Sequence, residues 1–193
     1  MLYDVSNGTG GGTFTDAFNR ADSSTLGNGW IQVVGSLKVQ AGQARNAAIR
    51  VMHTAVRPGL AGTTQSIAMN FASVDNNLGP RFGLLVRYQD AKNYHTCYRQ
   101  TGGSSVLRIS RVVNGVEAIL RTVSLPNPPK GVAFPMTCSV NGPTITGTVG
   151  TVTASANTAI VGTGTVGFTM GYPSTGTGMA TSHVADNFSA TVQ

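Results

Sequence analysis

From Thr13 onward, short runs of Val, Ile, Thr, Tyr and Phe alternate with polar residues and are separated by clusters of Gly, Asn, Asp, Ser and Pro. Alternation puts every second side chain on one face of a strand, and runs repeating about every 8–12 residues between turn residues predict a β-sandwich or barrel. Strands are expected at residues 30–34, 37–40, 64–71, 81–88, 94–100, 152–156, 165–171 and 184–192. The clearest local signal is VLRISRVVNGVEAILRTV, in which Asn114-Gly115 supplies the positive φ angles of a two-residue type I′ hairpin turn. Asn141-Gly142 joins VAFPMTCSV to TITGTV, with Pro143 removing a ladder donor and implying an edge or a bulge, and Pro135 weakening the strand before it. Pro126, Pro128 and Pro129 make SLPNPPKG a stiff crossover outside the sheets.

One segment departs from this rhythm. Ala41, Ala44, Ala48, Val51, Met52 and Ala55 fall at near-helical spacing, and alanine favours helices. Strands are still expected there, because Gly42 is a natural hairpin turn after LKVQ. The opening MLYDVSNGTGGG is polar and glycine-rich and cannot bury enough apolar surface to order itself. Residues 1–12 are therefore expected to form a flexible or docking arm ahead of a single domain over residues 13–193.

With 193 residues, 40% of them apolar and 10% charged, the chain can bury roughly two thirds of its unfolded surface in one core. No stretch approaches the roughly 20 apolar residues that span a bilayer, so no membrane partner is expected. The start carries neither the basic nor the apolar segment of a secretory signal. The chain is then expected either to be cut from a larger protein or to leave its cell by another route; Met1 favours the second, and release by cell lysis as part of a virus particle is such a route. Cys138 in MTCSV alternates in phase with Met136 and Val140, on a core-facing side. Cys97 and Cys138 read as two buried thiols, with one disulfide left open. No CxxC or Cys/His spacing supports a zinc site.

Three separated blocks carry a resemblance: FNRADSSTLGNGW near the start, GLLVRYQDAKNYHTCYR in the middle, and GTVGFTMGY followed by DNFSATV at the end. In this order they resemble the concanavalin A-like jelly-roll superfamily, in the LamG-like branch found in bacterial glycan-directed proteins and bacteriophage tail and virion proteins. The resemblance spans residues 13–192 and implies a two-sheet antiparallel jelly-roll sandwich whose first and last strands lie side by side. It implies packing roles for Phe18, Trp30 and Phe188. It bears little on activity, because such sandwiches host lectins, hydrolases and scaffolds alike.

The acidic inventory is Asp4, Asp16, Asp22, Asp75, Asp90, Asp186 and the solitary Glu117. A glycosidase needs two carboxylates flanking the scissile bond, and no ExDxxE alternation exists here. Glu117 is expected to face water beside Arg111 or Arg121. His53, His95 and His183 stand apart, without a nucleophile elbow, so no catalytic residue is assigned. Asp16 and Asp186, in terminal strands, are weak candidates for a structural calcium corner, with hydrogen bonding preferred and no other cofactor expected. Net charge is +6 without a basic run, so no specific nucleic acid is expected. Arg87, Arg99, Arg108 and Arg111 on neighbouring strands are candidates for contact with an anionic partner. For glycans the candidates are Tyr88, Tyr94 and Tyr98 with Asp90 and Asn93, and more distantly Tyr172, Asp75, Asn76 and Asn77.

Together with the resemblance, these features lead to a non-enzymatic structural or attachment module of a phage particle, a minor tail or head decoration protein. It is expected to dock on other virion proteins through the arm and a sheet face, with host-surface glycan and a homo-oligomer as further candidate partners. The alternative is a carbohydrate-binding module of a bacterial glycan-processing protein, extracellular as part of a larger chain.

Overall fold

The computed structural model describes residues 10–46, 51–73, 79–173 and 183–193. Over these residues the alternating runs become fifteen strands, with no helix. The first eight are β1 (Gly12–Asp16), β2 (Ile31–Val34), β3 (Leu37–Gln40), β4 (Gln43–Asn46), β5 (Met52–Gly62), β6 (Gln65–Ala72), β7 (Arg81–Asp90) and β8 (Asn93–Gln100). The rest are β9 (Ser105–Val113), β10 (Val116–Leu125), β11 (Ala133–Asn141), β12 (Thr144–Val149), β13 (Val152–Asn157), β14 (Gly164–Gly171) and β15 (Val184–Val192).

They form two antiparallel sheets. One has the order β13-β12-β11-β6-β15-β4-β3, with β1 added beside β15; the other has the order β10-β9-β8-β7-β14-β5-β2. This is the jelly-roll sandwich. β1 pairs with β15 from Gly12 opposite Val192 to Asp16 opposite Phe188, so the chain's two ends close one sheet. Gly10 also bridges Ala61 of β5 in the other sheet, which ties the last residues of the expected arm to the sandwich; Met1 to Thr9 lie outside the described residues.

The ambiguous segment forms β4 and the start of β5, and Ala41 and Gly42, with φ of 53° and 68°, make the turn from β3 into β4; residues 47–50 are outside the described part. Asn114 and Gly115 take φ of 51° and 82° between β9 and β10, the expected hairpin turn. In the β11–β12 hairpin the two turn residues are Gly142 and Pro143, because Asn141 and Thr144 still pair. Pro143 thus sits in the turn rather than at an edge or bulge. Pro126, Pro128 and Pro129 lie in the connection from β10 in one sheet to β11 in the other.

Between the sheets the inward residues merge into one core. Trp30 anchors one end, its ring 4.8 Å from Phe188 and 5.1 Å from Phe168 in edge-to-face contact. That geometry favours the ring quadrupoles. The indole N–H donates to Asp16 Oδ2 at 2.8 Å, so the one polar atom of this large side chain is satisfied. The sheets are also joined covalently: Cys97 of β8 and Cys138 of β11 form a disulfide with Cα atoms 5.7 Å apart. This corrects the expectation of two free thiols. Both cysteines are inward on facing sheets, which is the placement that brings their sulfurs together.

Candidate functional site: a groove across the seven-stranded sheet

The central strands β7, β8 and β14 are buried almost throughout rather than on alternate residues. Their outer face therefore carries large side chains of its own. Val56, Leu85 and Tyr88 form a second apolar cluster there, packed by Ile31, Val33 and Tyr94. Gly83 leaves space on the same face, since a Cβ there would meet Thr169 Cγ2 at 2.9 Å and Tyr98 Cβ at 3.1 Å.

Beside this cluster lies a groove of about 310 Å³ that touches every strand of the sheet, from Val34 on β2 to Glu117 on β10. Its bed is apolar, with Met52, Leu85 and Val112, and Tyr94 stands half-buried over it. At one end Arg81 and Glu117 form an ion pair with Nη1 and Oε2 3.2 Å apart. Ser110 Oγ donates to Glu117 Oε1 at 2.9 Å, and Arg81 Nε donates to Gln100 Oε1 at 3.3 Å. The Arg81 guanidinium lies 4.7 Å from the centroid of the Tyr98 ring. Glu117 thus pairs with Arg81, 36 positions away in sequence, instead of the expected Arg111 or Arg121.

The three strand tyrosines share this face but differ in access. Tyr88 is 3% exposed beneath Tyr94, with ring centroids 5.8 Å apart. Tyr98 is 2% exposed beneath Arg81. Tyr94 keeps a surface open to the groove. Burial, reinforced by Asp90 and Tyr94, pushes the Tyr88 phenol up to about 12, and burial with Glu117 raises that of Tyr94. All three phenols are neutral donors at neutral pH.

Asp90 and Asn93 are absent from the groove's lining, Asn93 lining a smaller neighbouring pocket instead, and together they hold two turns. Asp90 accepts from Lys92 N at 2.6 Å and from Asn93 Nδ2 at 3.0 Å. Asn93 Oδ1 in turn accepts from Asn114 N at 3.1 Å in the β9–β10 hairpin. Tyr172 is buried; Asp75, Asn76 and Asn77 fall outside the described residues.

The four arginines do not form one patch. Arg87 is 3% exposed and donates to the carbonyls of Ile160, Thr63 and Gly142. Arg99 is 4% exposed, donates to Ser105 Oγ and the Pro126 carbonyl, and stacks 4.6 Å over Phe134. Burial lowers both guanidiniums, that of Arg99 to about 10. Arg108 is on the groove's side, with Nη1 on Gln100 Oε1 at 3.2 Å. Arg111 pairs in register with inward-facing His95, on the other side of the sheet. Strand position brought the four together in the sequence reading; side-chain direction separates them.

The calcium corner does not form. Asp16 is buried and accepts from Arg20 at 2.8 and 3.0 Å, from Phe18 N at 2.8 Å and from the Trp30 indole. Burial pushes its carboxyl up, but these donors outweigh burial and hold it below the ordinary 3.8. Asp186 instead lines a separate cavity with Asn70 and Arg45 on the other sheet. Among the described residues no group of three metal-ligating side chains occurs. Of the five described carboxylates, only Glu117 lines the groove. Asp22 accepts from Ala41 N, and the other three are placed above.

Arg81 carried no signal in sequence, since nothing near it marks a site. Its only clue was the outward phase it shares with Leu85.

No family model matches this chain, and neither does any curated protein. Solved structures share the fold. A CBM66 carbohydrate-binding module from Bacillus subtilis superposes with a TM-score of 0.70 at 13% identity, over 84% of this chain and 95% of that one. A β-glucanase from Bacillus licheniformis gives 0.63 at 14%, over 96% and 99%. The CBM2 module of the evolved Dit of Lactobacillus casei BL23 phage J-1 gives 0.61 at 12%, over 93% and 96%. In the GH43 protein BlXynB from Bacillus licheniformis, the likeness covers only 39% of that protein's length. At such identities the likeness is one of fold alone, the jelly-roll sandwich.

Proposed function

We propose that this protein is a non-enzymatic attachment module that holds a saccharide in the groove of its seven-stranded sheet, as part of a phage particle on tail or head. The observation that carries the reading is the groove itself. It offers an accessible tyrosine over an apolar bed, with a hydrogen-bonding pair at one end. Apolar sugar faces stack on aromatic surface while their hydroxyls seek fixed donors and acceptors. Among the described residues one carboxylate lines the groove, already held by Arg81 and Ser110, which supports binding over glycoside hydrolysis with its paired acid and base.

The virion placement is supported by the fold shared with the phage Dit module and by the LamG-like sequence blocks. The disulfide adds to it, because such bonds persist outside reducing cytoplasm. Other virion proteins would be met through residues 1–12 and the opposite sheet face, with a homo-oligomer as one such arrangement. The second reading, a carbohydrate-binding module of an extracellular bacterial glycan-processing protein, is favoured by the likeness to CBM66.

A glycan array with wild type and Tyr94→Ala tests the common element. Binding that disappears in the variant supports the groove, and a folded wild type silent on all glycans sinks it. Mass spectrometry of purified particles separates the two settings: absence from particles removes the virion reading.

A further inference from the structure

Resting on that groove reading, we infer that Arg81 and Glu117 are its specificity-determining pair, reading two adjacent hydroxyls of an uncharged sugar. A vicinal diol both donates and accepts. A carboxylate accepts from one hydroxyl while a guanidinium donates to its neighbour, and here the two groups are locked 3.2 Å apart. Both stay partly open to solvent, the Arg81 side chain 24% exposed and that of Glu117 32%. Their remaining hydrogen-bonding positions are therefore accessible to a ligand.

The pair is fixed from behind by two neighbouring strands, β8 and β9. Ser110 of β9 holds one carboxylate oxygen, Gln100 of β8 holds Arg81 Nε, and the Tyr98 ring lies under the guanidinium. Arg108 donates to the same Gln100 oxygen and so orients that amide from the other side. A reader held this way loses little side-chain entropy when it binds.

Charge selects the class of sugar. Among the described residues of the groove lining, Arg81 and Glu117 are the charged side chains and they cancel. An incoming carboxylate would meet Glu117 within a few ångströms while the neighbouring cation is already engaged. Neutral pyranoses or furanoses with adjacent hydroxyls are accepted, and uronic acids are refused.

The test uses methyl glycosides of neutral hexoses, their monodeoxy analogues and the matching uronic acids, titrated calorimetrically into the full chain. Wild type is expected to bind a neutral glycoside with an affinity that changes less than about twofold between low and high salt. Removing one of the two read hydroxyls, or changing Glu117→Gln or Arg81→Lys, should each weaken binding about tenfold or more. The deoxy penalty should vanish in the variant that lost its partner, a coupling that a merely structural role would not produce. Undiminished binding by both folded variants, or a preference for the uronic acids, overturns the pair's role while leaving the groove standing. Failure of folded wild type to bind any of these sugars overturns the groove reading and the pair with it.

Discussion

Asp16 shows how a carboxylate that reads as a metal candidate becomes a structural hub. It joins β1 to Arg20, to the Phe18 backbone and to the core tryptophan. Asp16→Ala strands three donors, one of them in the core, and should cost about 3–5 kcal/mol in urea unfolding; a loss below 1 kcal/mol would show that water replaces the carboxylate. Its folded-state value lies below 3.8, so its contribution is complete above that pH and disappears as pH falls through the lower folded value. His95 acts in a different window. It is buried against Thr158, with Nε2 and Oγ1 3.2 Å apart, and burial, Arg87 and Arg111 pull it down to about 4. An unfolded histidine takes its proton near 6.5, so between these values the unfolded chain binds more protons and stability falls as pH drops, by about 3 kcal/mol. Urea midpoints measured from pH 7.5 to 3 should decline first across the histidine window and again below pH 4. His95→Gln should flatten the first decline only, and an unchanged slope in that variant would remove His95 as its cause.

At the scale of elements, the turns were legible because their chemistry is local. Asn114-Gly115, Gly42 and the proline crossover each act within a few residues, and the strands around them follow. The turn at Gly115 also sets the register that places Glu117 opposite Val112 on the groove side. With φ of 82°, Gly115→Ala forces a Cβ into the left-handed region at a cost of about 1–2 kcal/mol. Chemical denaturation would measure it, and a loss under about 0.3 kcal/mol would mean that the hairpin tolerates another turn. What defeated the sequence reading of the site was phase. A bulge in β7 after Val86, with Arg87 at φ of 49°, resets the alternation, so Tyr88 faces outward and Arg87 turns into the protein among backbone carbonyls. Simple alternation cannot locate an extra residue of this kind. It placed Tyr94 and Tyr98 on one strand without showing that Arg81 covers the second of them.

At the scale of the molecule, closure by the two ends was readable because residues 12–16 and 184–192 both alternate and sit at opposite ends of the sequence. The bond between the sheets was not, since strand phase says only that a cysteine points inward, never which inward residue of the facing layer it meets. Cys97 and Cys138 are 41 positions apart, and linking them removes the freedom of a long loop from the unfolded chain. In the chain-entropy picture a loop of that length is worth about 4 kcal/mol. For a protein of this size that corresponds to roughly 10 °C in melting temperature. The groove lies on the outer face of the seven-stranded sheet, while the disulfide lies on its inner face. Melting in the presence of a strong thiol reductant, or of the Cys97→Ala/Cys138→Ala double variant, should therefore fall by about that amount, while sugar binding at 25 °C stays within about threefold of the oxidised protein. A drop of less than 2 °C would show that the staple constrains little. A melting drop accompanied by complete loss of binding in a still-folded protein would show that the inner bond sets the shape of the outer face.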